Sequence, residues 1–119
     1  MDLEESEPTG PVSRVVVMDQ ELPRTLGVRR VEIRRITMEP GFAAGLHVHN
    51  GPVFGTIETG SVVYQIEGSA ETVLTPGDVF YEPEGARIAR FDALAEGVTF
   101  LGYFLLADGV DAGLVFPGS

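Results

Sequence analysis

The chain has 119 residues, 44% of them hydrophobic, with 15 Gly, 8 Pro and neither Cys nor Trp. That is the size of one ordinary globular domain, long enough to bury a core without disulfide staples, and the missing cysteines exclude a thiol nucleophile, a redox pair and every cysteine-ligated zinc site. Eight basic against eighteen acidic residues give a net charge of −10, and all the bases are Arg; no nucleic acid and no membrane is expected as a partner, and lysine Schiff-base chemistry is excluded.

The opening Met1-Asp2-Leu3-Glu4-Glu5-Ser6-Glu7 has neither the basic region nor the apolar run of a secretion signal. No window reaches the roughly 20 apolar residues of a membrane span, so a cytoplasmic location is expected. Four acids and no base in the first ten residues, running into Pro8-Thr9-Gly10-Pro11, read as a solvated acidic tail over residues 1–11 ahead of one domain over residues 12–119.

Beyond the tail, short runs rich in Val, Ile, Phe and Tyr alternate with Gly and Pro punctuation, the rhythm of an all-β protein. The predicted strands are Val12 to Met18, Val28 to Met38, Val53 to Thr59, Val62 to Glu67, Glu71 to Leu74, Val79 to Tyr81, Ala86 to Phe91 and Val98 to Ala107. Turns are predicted at Glu39-Pro40-Gly41, Thr59-Gly60-Ser61, Thr75-Pro76-Gly77-Asp78 and Pro83-Glu84-Gly85. In the second run the alternation of Val31 and Ile33 passes to Ile36 and Met38 with a parity slip at Arg34-Arg35, which predicts a bulge. Arg29, Arg30, Arg34 and Arg35 form a solvated face paired with nearby acids, or alternatively an anion-binding patch. About eight short antiparallel strands predict a jelly-roll β-barrel, whose interior is a natural small-molecule cavity.

Both histidines sit in His47-Val48-His49, and in a strand this i, i+2 spacing turns both imidazoles to one face. Two convergent imidazoles are half a metal site or an acid/base pair. Around them the spacing runs Gly41, five residues, His47, one, His49, three, Val53, six, Gly60. A second block runs Gly77, five residues, Pro83, one, Gly85, two, Ile88, three, Asp92.

The two blocks resemble the two motifs of the cupin superfamily, over roughly Met38 to Leu106. Asn50-Gly51-Pro52-Val53-Phe54-Gly55 and Gly77-Asp78-Val79-Phe80-Tyr81-Glu82-Pro83 are similar to the small stand-alone bacterial cupins of the conserved-barrel group. The resemblance implies an all-β cupin barrel. It also implies that position 53 is usually Glu and position 88 usually His, completing a metal site with His47 and His49; here they are Val53 and Ile88, so the metal site is degenerate. Asp92 stands where the family usually has Asn. Small cupins are usually homodimers, with Val12 to Met18 here as the exchanged or edge-covering strand.

Strand parity nominates the remaining cavity residues. If Ile88 faces inward, Arg90 does too, and an inward Arg favours an anionic or carbonyl-bearing ligand. Either Glu82 or Tyr81 supplies one more polar group; Glu82 would ligate a metal, pair with Arg90 or act as a base. Val53, Tyr64, Gln65, Tyr81, Ile88, Phe100 and Tyr103 are the candidate substrate-binding wall. Three functions follow: an enzyme using His47, His49, Glu82 and Arg90 in acid/base isomerisation, cyclisation or elimination, with no metal or one loosely held; a metal-dependent, dioxygenase-like cupin holding Fe, Mn, Ni or Zn on His47, His49 and a substitute ligand; or a non-catalytic ligand-binding or regulatory domain.

Overall fold

The alternating Val, Ile and Phe of the sequence build seven strands in the computed structural model, which describes residues 10–117. The acidic tail therefore lies, up to residue 9, outside the described residues. The strands are β1 (Arg30–Met38), β2 (Val48–His49), β3 (Val53–Ile66), β4 (Thr72–Leu74), β5 (Val79–Glu82), β6 (Ile88–Leu106) and β7 (Leu114–Val115). Every pairing is antiparallel: one sheet runs β1-β6-β3-β4 with β5 also on β3, and β2 pairs β7. Together they form an all-β barrel of jelly-roll type, with no helix among the described residues.

Seven strands replace the eight predicted: two predicted pairs merge, Val12 to Met18 forms no strand, and β2 and β7 are additional. The runs from Val53 and Val62 join as β3, and those from Ala86 and Val98 join as β6. Thr59-Gly60-Ser61 is not a reversal but a bend within β3, where the β3–β6 register shifts on both sides of Gly60. Gly60 and Gly97 both have positive φ, 77° and 72°, and a Cβ on Gly60 would lie 2.0 Å from the Gly97 carbonyl oxygen. Without side chains the two strands bend together at this corner and remain paired. Elsewhere turn chemistry works as predicted: the Asp78 carboxylate accepts from the Thr75 amide at 2.8 Å, and the Ala86 amide donates to the Pro83 carbonyl at 3.1 Å.

Two strand predictions need correction. The β1–β6 ladder runs unbroken from Arg30↔Leu106 to Met38↔Val98, so β1 has no bulge at Arg34-Arg35. Arg34, Ile36 and Met38 consequently share the inner face, while Val31 and Ile33 point outward, 53% and 57% exposed. Val12 to Met18 forms no strand; its backbone joins no ladder, and Val12, Val15, Val16 and Val17 are exposed.

Register across the sheet aligns the inner face in rows. Arg34, Gly102, Gly55 and Phe80 make one row, and Glu32, Phe104, Val53 and Glu82 the next. One end of the barrel is filled by Phe80, Phe91 and Phe100, with ring centroids 4.9 to 5.9 Å apart, packed with Ile57, Val62 and Leu74. Such offset and edge contacts add to the burial of large apolar rings. The Phe80 ring covers Gly55, where a Cβ would sit 2.2 Å from Cζ. Gly55→Ala should therefore lower stability by about 1–3 kcal/mol through overpacking; chemical denaturation of the variant would show this as a lower midpoint at unchanged m-value, and pairing it with Phe80→Leu should recover part of the loss.

Candidate functional site

His47 is fixed before β2 by a two-way backbone bridge to Ile88, with bonds of 3.1 and 2.8 Å. His49 follows within β2, opposite Leu114 of β7. Their rings converge as the i, i+2 spacing requires, 5.0 Å apart and nearly perpendicular. Glu82 is the last residue of β5, directly opposite Val53. Alternation along β5 turns Phe80 and Glu82 inward, while Tyr81 stacks on Phe54 at 4.9 Å. The open choice between Glu82 and Tyr81 is thus decided by strand parity in favour of Glu82.

Glu82 is 3% exposed and His47 5%. His49 Nε2 donates to Glu82 Oε1 at 2.7 Å, and His47 Nε2 lies 3.6 Å from the same oxygen. The Nδ1–H of His47 donates to the Gly45 carbonyl at 2.8 Å, which leaves Nε2 facing the carboxylate. Burial draws the His47 pKa down, but its contact with Glu82, the bond to Gly45 and the carboxylate charge outweigh this and hold it above the ordinary histidine value. For Glu82 burial pushes upward, and the bonds and charges of both histidines overcome it, so the carboxyl is held below its ordinary range. The three groups can bring donor atoms within 4.8 Å of one another, a set able to hold a metal ion.

The three residues stand in a cavity of about 320 Å³, otherwise walled mainly by apolar side chains, among them Ile36, Met38, Phe91, Phe100 and Phe104. The C-terminal segment crosses the mouth: Leu114 and Phe116 line it, and the Phe116 ring stands 6.5 Å from that of His47 while 64% exposed. Asn50, next to His49, clamps this strap. Its Nδ2 donates to the Asp111 carbonyl at 2.9 Å, its Oδ1 accepts from the Gly113 amide at 3.0 Å, and its own amide donates to the Gly113 carbonyl at 3.1 Å.

Of the other sequence candidates, Val53 and Phe100 line the cavity, and Ile88 is fully buried opposite His47. Arg90 does not face inward. The β3–β6 register shifts between Gln65↔Arg90 and Ile66↔Ile88, and this irregularity at Ala89 reverses parity, so Phe91 takes the inner face. Arg90 instead pairs with Asp92 at 2.8 Å and with Glu71. Tyr64 lies in the aromatic core rather than the cavity, donating to the Tyr81 carbonyl, and burial raises its pKa. Gln65 binds the Ser69 carbonyl; Tyr81 and Tyr103 lie on the outer face. Sequence reasoning missed Arg34, Phe42, Leu114 and Phe116 as lining residues. The unbroken alternation of Arg34, Ile36 and Met38 was the available signal for the first; nothing local marks the strap.

The family model described as Cupin domain matches residues 34–88. Curated protein sequences give no match. Among solved structures, the chain is similar to an oxalate oxidase in complex with the substrate analogue glycolate (TM-score 0.62, 22% identity, covering 73% of this chain and 46% of that one). It is similar to a DMSP lyase from Ruegeria pomeroyi (TM-score 0.64, 20% identity, 75% and 45%) and to a conserved protein with a double-stranded β-helix domain from Klebsiella pneumoniae (TM-score 0.61, 19% identity, 79% and 80%). The chain thus spans less than half of the two enzymes, and what it shares with all three is the fold.

Asn50→Ala removes both side-chain bonds to the strap. Amide hydrogen exchange at residues 113–115 should accelerate on the order of tenfold, from the usual net worth of two hydrogen bonds, while exchange in β3 and β6 is unchanged.

Proposed function

The chain carries a small cupin-superfamily domain, and from that premise we propose that it binds one divalent metal on His47, His49 and Glu82 and transforms a small organic molecule in the cavity. The observation that carries this reading is the convergence of two imidazoles and one carboxylate in an otherwise apolar cavity. The donor set fits. Two histidines and a carboxylate with positions left open suit Fe(II), and the same donors accept Mn, Ni or Zn. His47 offers Nε2 because Nδ1–H is held by the Gly45 carbonyl, the outer support that ligating histidines use. When bound, the metal would supply a Lewis acid that polarises a carbonyl or carboxylate oxygen.

The chain's own groups do the rest. The phenylalanine wall and the strap shape the cavity and hold the body of a ligand beside the metal-holding end. Isomerisation, cyclisation or elimination beside a carbonyl suits this equipment. The lyase and the oxidase of the same fold act on small molecules, which supports an enzymatic reading without transferring their substrates. A second reading rests on the 2.7 Å bond between His49 and Glu82: the pair acts in proton transfer with no metal.

We propose a homodimer as well. Val31 and Ile33 on the outer face of β1 adjoin half-buried Tyr103 and Leu105 of β6, and exposed Val17 lies near Tyr103. Light scattering at micromolar concentration should give twice the chain mass, and a chain mass would refute the dimer.

Titration with Co(II), Mn(II), Ni(II) and Zn(II), followed by elemental analysis after gel filtration, should retain about one equivalent of at least one metal. His47→Ala and Glu82→Ala should weaken binding by more than the roughly 10- to 100-fold that follows loss of a supporting hydrogen bond, and Arg90→Ala should not. A wild-type chain that retains none of the four metals would overturn the metal reading in favour of the proton-transfer pair.

A further inference from the structure

The cavity lining carries four polar side chains: His47, His49, Glu82 and Arg34. The first three form one cluster. Arg34 stands apart, its guanidinium carbon 5.0 Å from the centre of the Phe104 ring, and that ring lies 6.1 Å from the His49 ring. Phe104 is therefore a single aromatic spacer between a cation and the histidine cluster.

Arg34 stands on the inner face of β1, at the head of the row that continues with Gly102 and Gly55. Its Nε donates to Glu32 Oε2 at 3.1 Å, which anchors the stem. Among the described residues its two terminal nitrogens donate no hydrogen bond, so that edge of the guanidinium fork is available to a ligand. Such a fork matches a carboxylate with two parallel bonds, in geometry as well as charge. Among the lining side chains a ligand meets apolar carbon from Ile36, Met38, Phe91, Phe100 and Phe104 and polar groups at two points, the histidine–glutamate cluster and this fork.

We infer that Arg34 selects the ligand: the cavity takes an organic acid with an apolar body, its carboxylate on the Arg34 terminal nitrogens and its other end directed to His47, His49 and Glu82. The inference deepens the proposed function and rests on it for the reacting end of the ligand, while the selection itself depends on Arg34 alone. Phe104 lies beneath the body of the acid, and Glu32 holds the guanidinium in place and balances its charge when no acid is bound.

The test uses matched probes, phenylacetate, phenylpropionate and phenylbutyrate against their primary amides, titrated by ligand-observed NMR into the cobalt-treated full chain, with cobalt content measured on the same samples. At least one acid should bind the wild type roughly ten- to a hundredfold more tightly than its amide, the range for a lost charge-assisted pair. Arg34→Gln should abolish that preference while amide binding persists, and Arg34→Lys should restore part of it. Equal affinity for acid and amide, no acid bound at all, or a preference that survives in Arg34→Gln would overturn the inference. A chain that retains no cobalt yet shows the Arg34-dependent preference supports the inference and excludes cobalt alone from the metal reading.

Discussion

A carboxylate buried among phenylalanine side chains has to be compensated where it stands, and the architecture of the site follows from how Glu82 meets that condition. An ion removed from water loses several kcal/mol unless charge and hydrogen bonds replace its hydration. Here the replacement is two imidazoles, one bonded at 2.7 Å and one held close by its own bond to the Gly45 carbonyl. The backbone enforces the meeting: β5 register sets Glu82 across from Val53, and the Ile88 bridge locks His47. A one-residue slip of β5 would turn Tyr81 inward and expel the carboxylate, so register and charge compensation support each other.

Two residues without side chains let the aromatic wall lie close to the sheet. Gly102 and Gly55 are neighbours on β6 and β3, between Arg34 at one edge and Phe80 at the other. The Phe80 ring occupies the space over Gly55, and a Cβ on Gly102 would lie 3.0 Å from the Phe104 ring. Phe80, Phe91 and Phe100 belong at once to the packed core and to the cavity lining. Stability and ligand capacity therefore draw on the same aromatic residues.

Much of this was legible in the residues. The Gly and Pro punctuation marks most turns, and the His-x-His spacing with its glycine frame carries the resemblance that the fold and the family match support. Parity arguments failed where they met an irregular ladder. Arg90 is assigned inward if β6 alternates from Ile88, but the irregularity at Ala89 reverses it; the bulge expected at Arg34-Arg35 is absent, so Arg34, exposed and paired with Glu32 as its solvated-face reading has it, also stands on the face that lines the cavity. In each case a long-range pairing decides, and a single strand's sequence does not contain its partner's register. The merging of the predicted strands at Gly60 has the same origin, because a glycine that permits a turn also permits a bend against Gly97. The strap is different again: Ala112, Gly113 and Leu114 carry no local signal, and their place depends on an Asn50 side chain more than sixty residues earlier in the chain.

The departures from the family pattern now have a structural meaning. Val53 removes a carboxylate from β3, and Glu82 returns one from the strand directly opposite, on the same face of the sheet, so the charge is relocated by one strand. Ile88 has no such substitute; it is fully buried against His47 and closes that side of the cluster with hydrocarbon. Donors on one side and hydrocarbon on the other leave the cluster open only toward Phe104, Arg34 and the strap. Because β7 pairs with the strand that carries His49, and Asn50 ties the next residue to Gly113, displacement of the strap and placement of His49 are parts of one backbone arrangement. Entry of a ligand past Leu114 and Phe116 therefore acts on the same short sheet that positions the histidine it would meet.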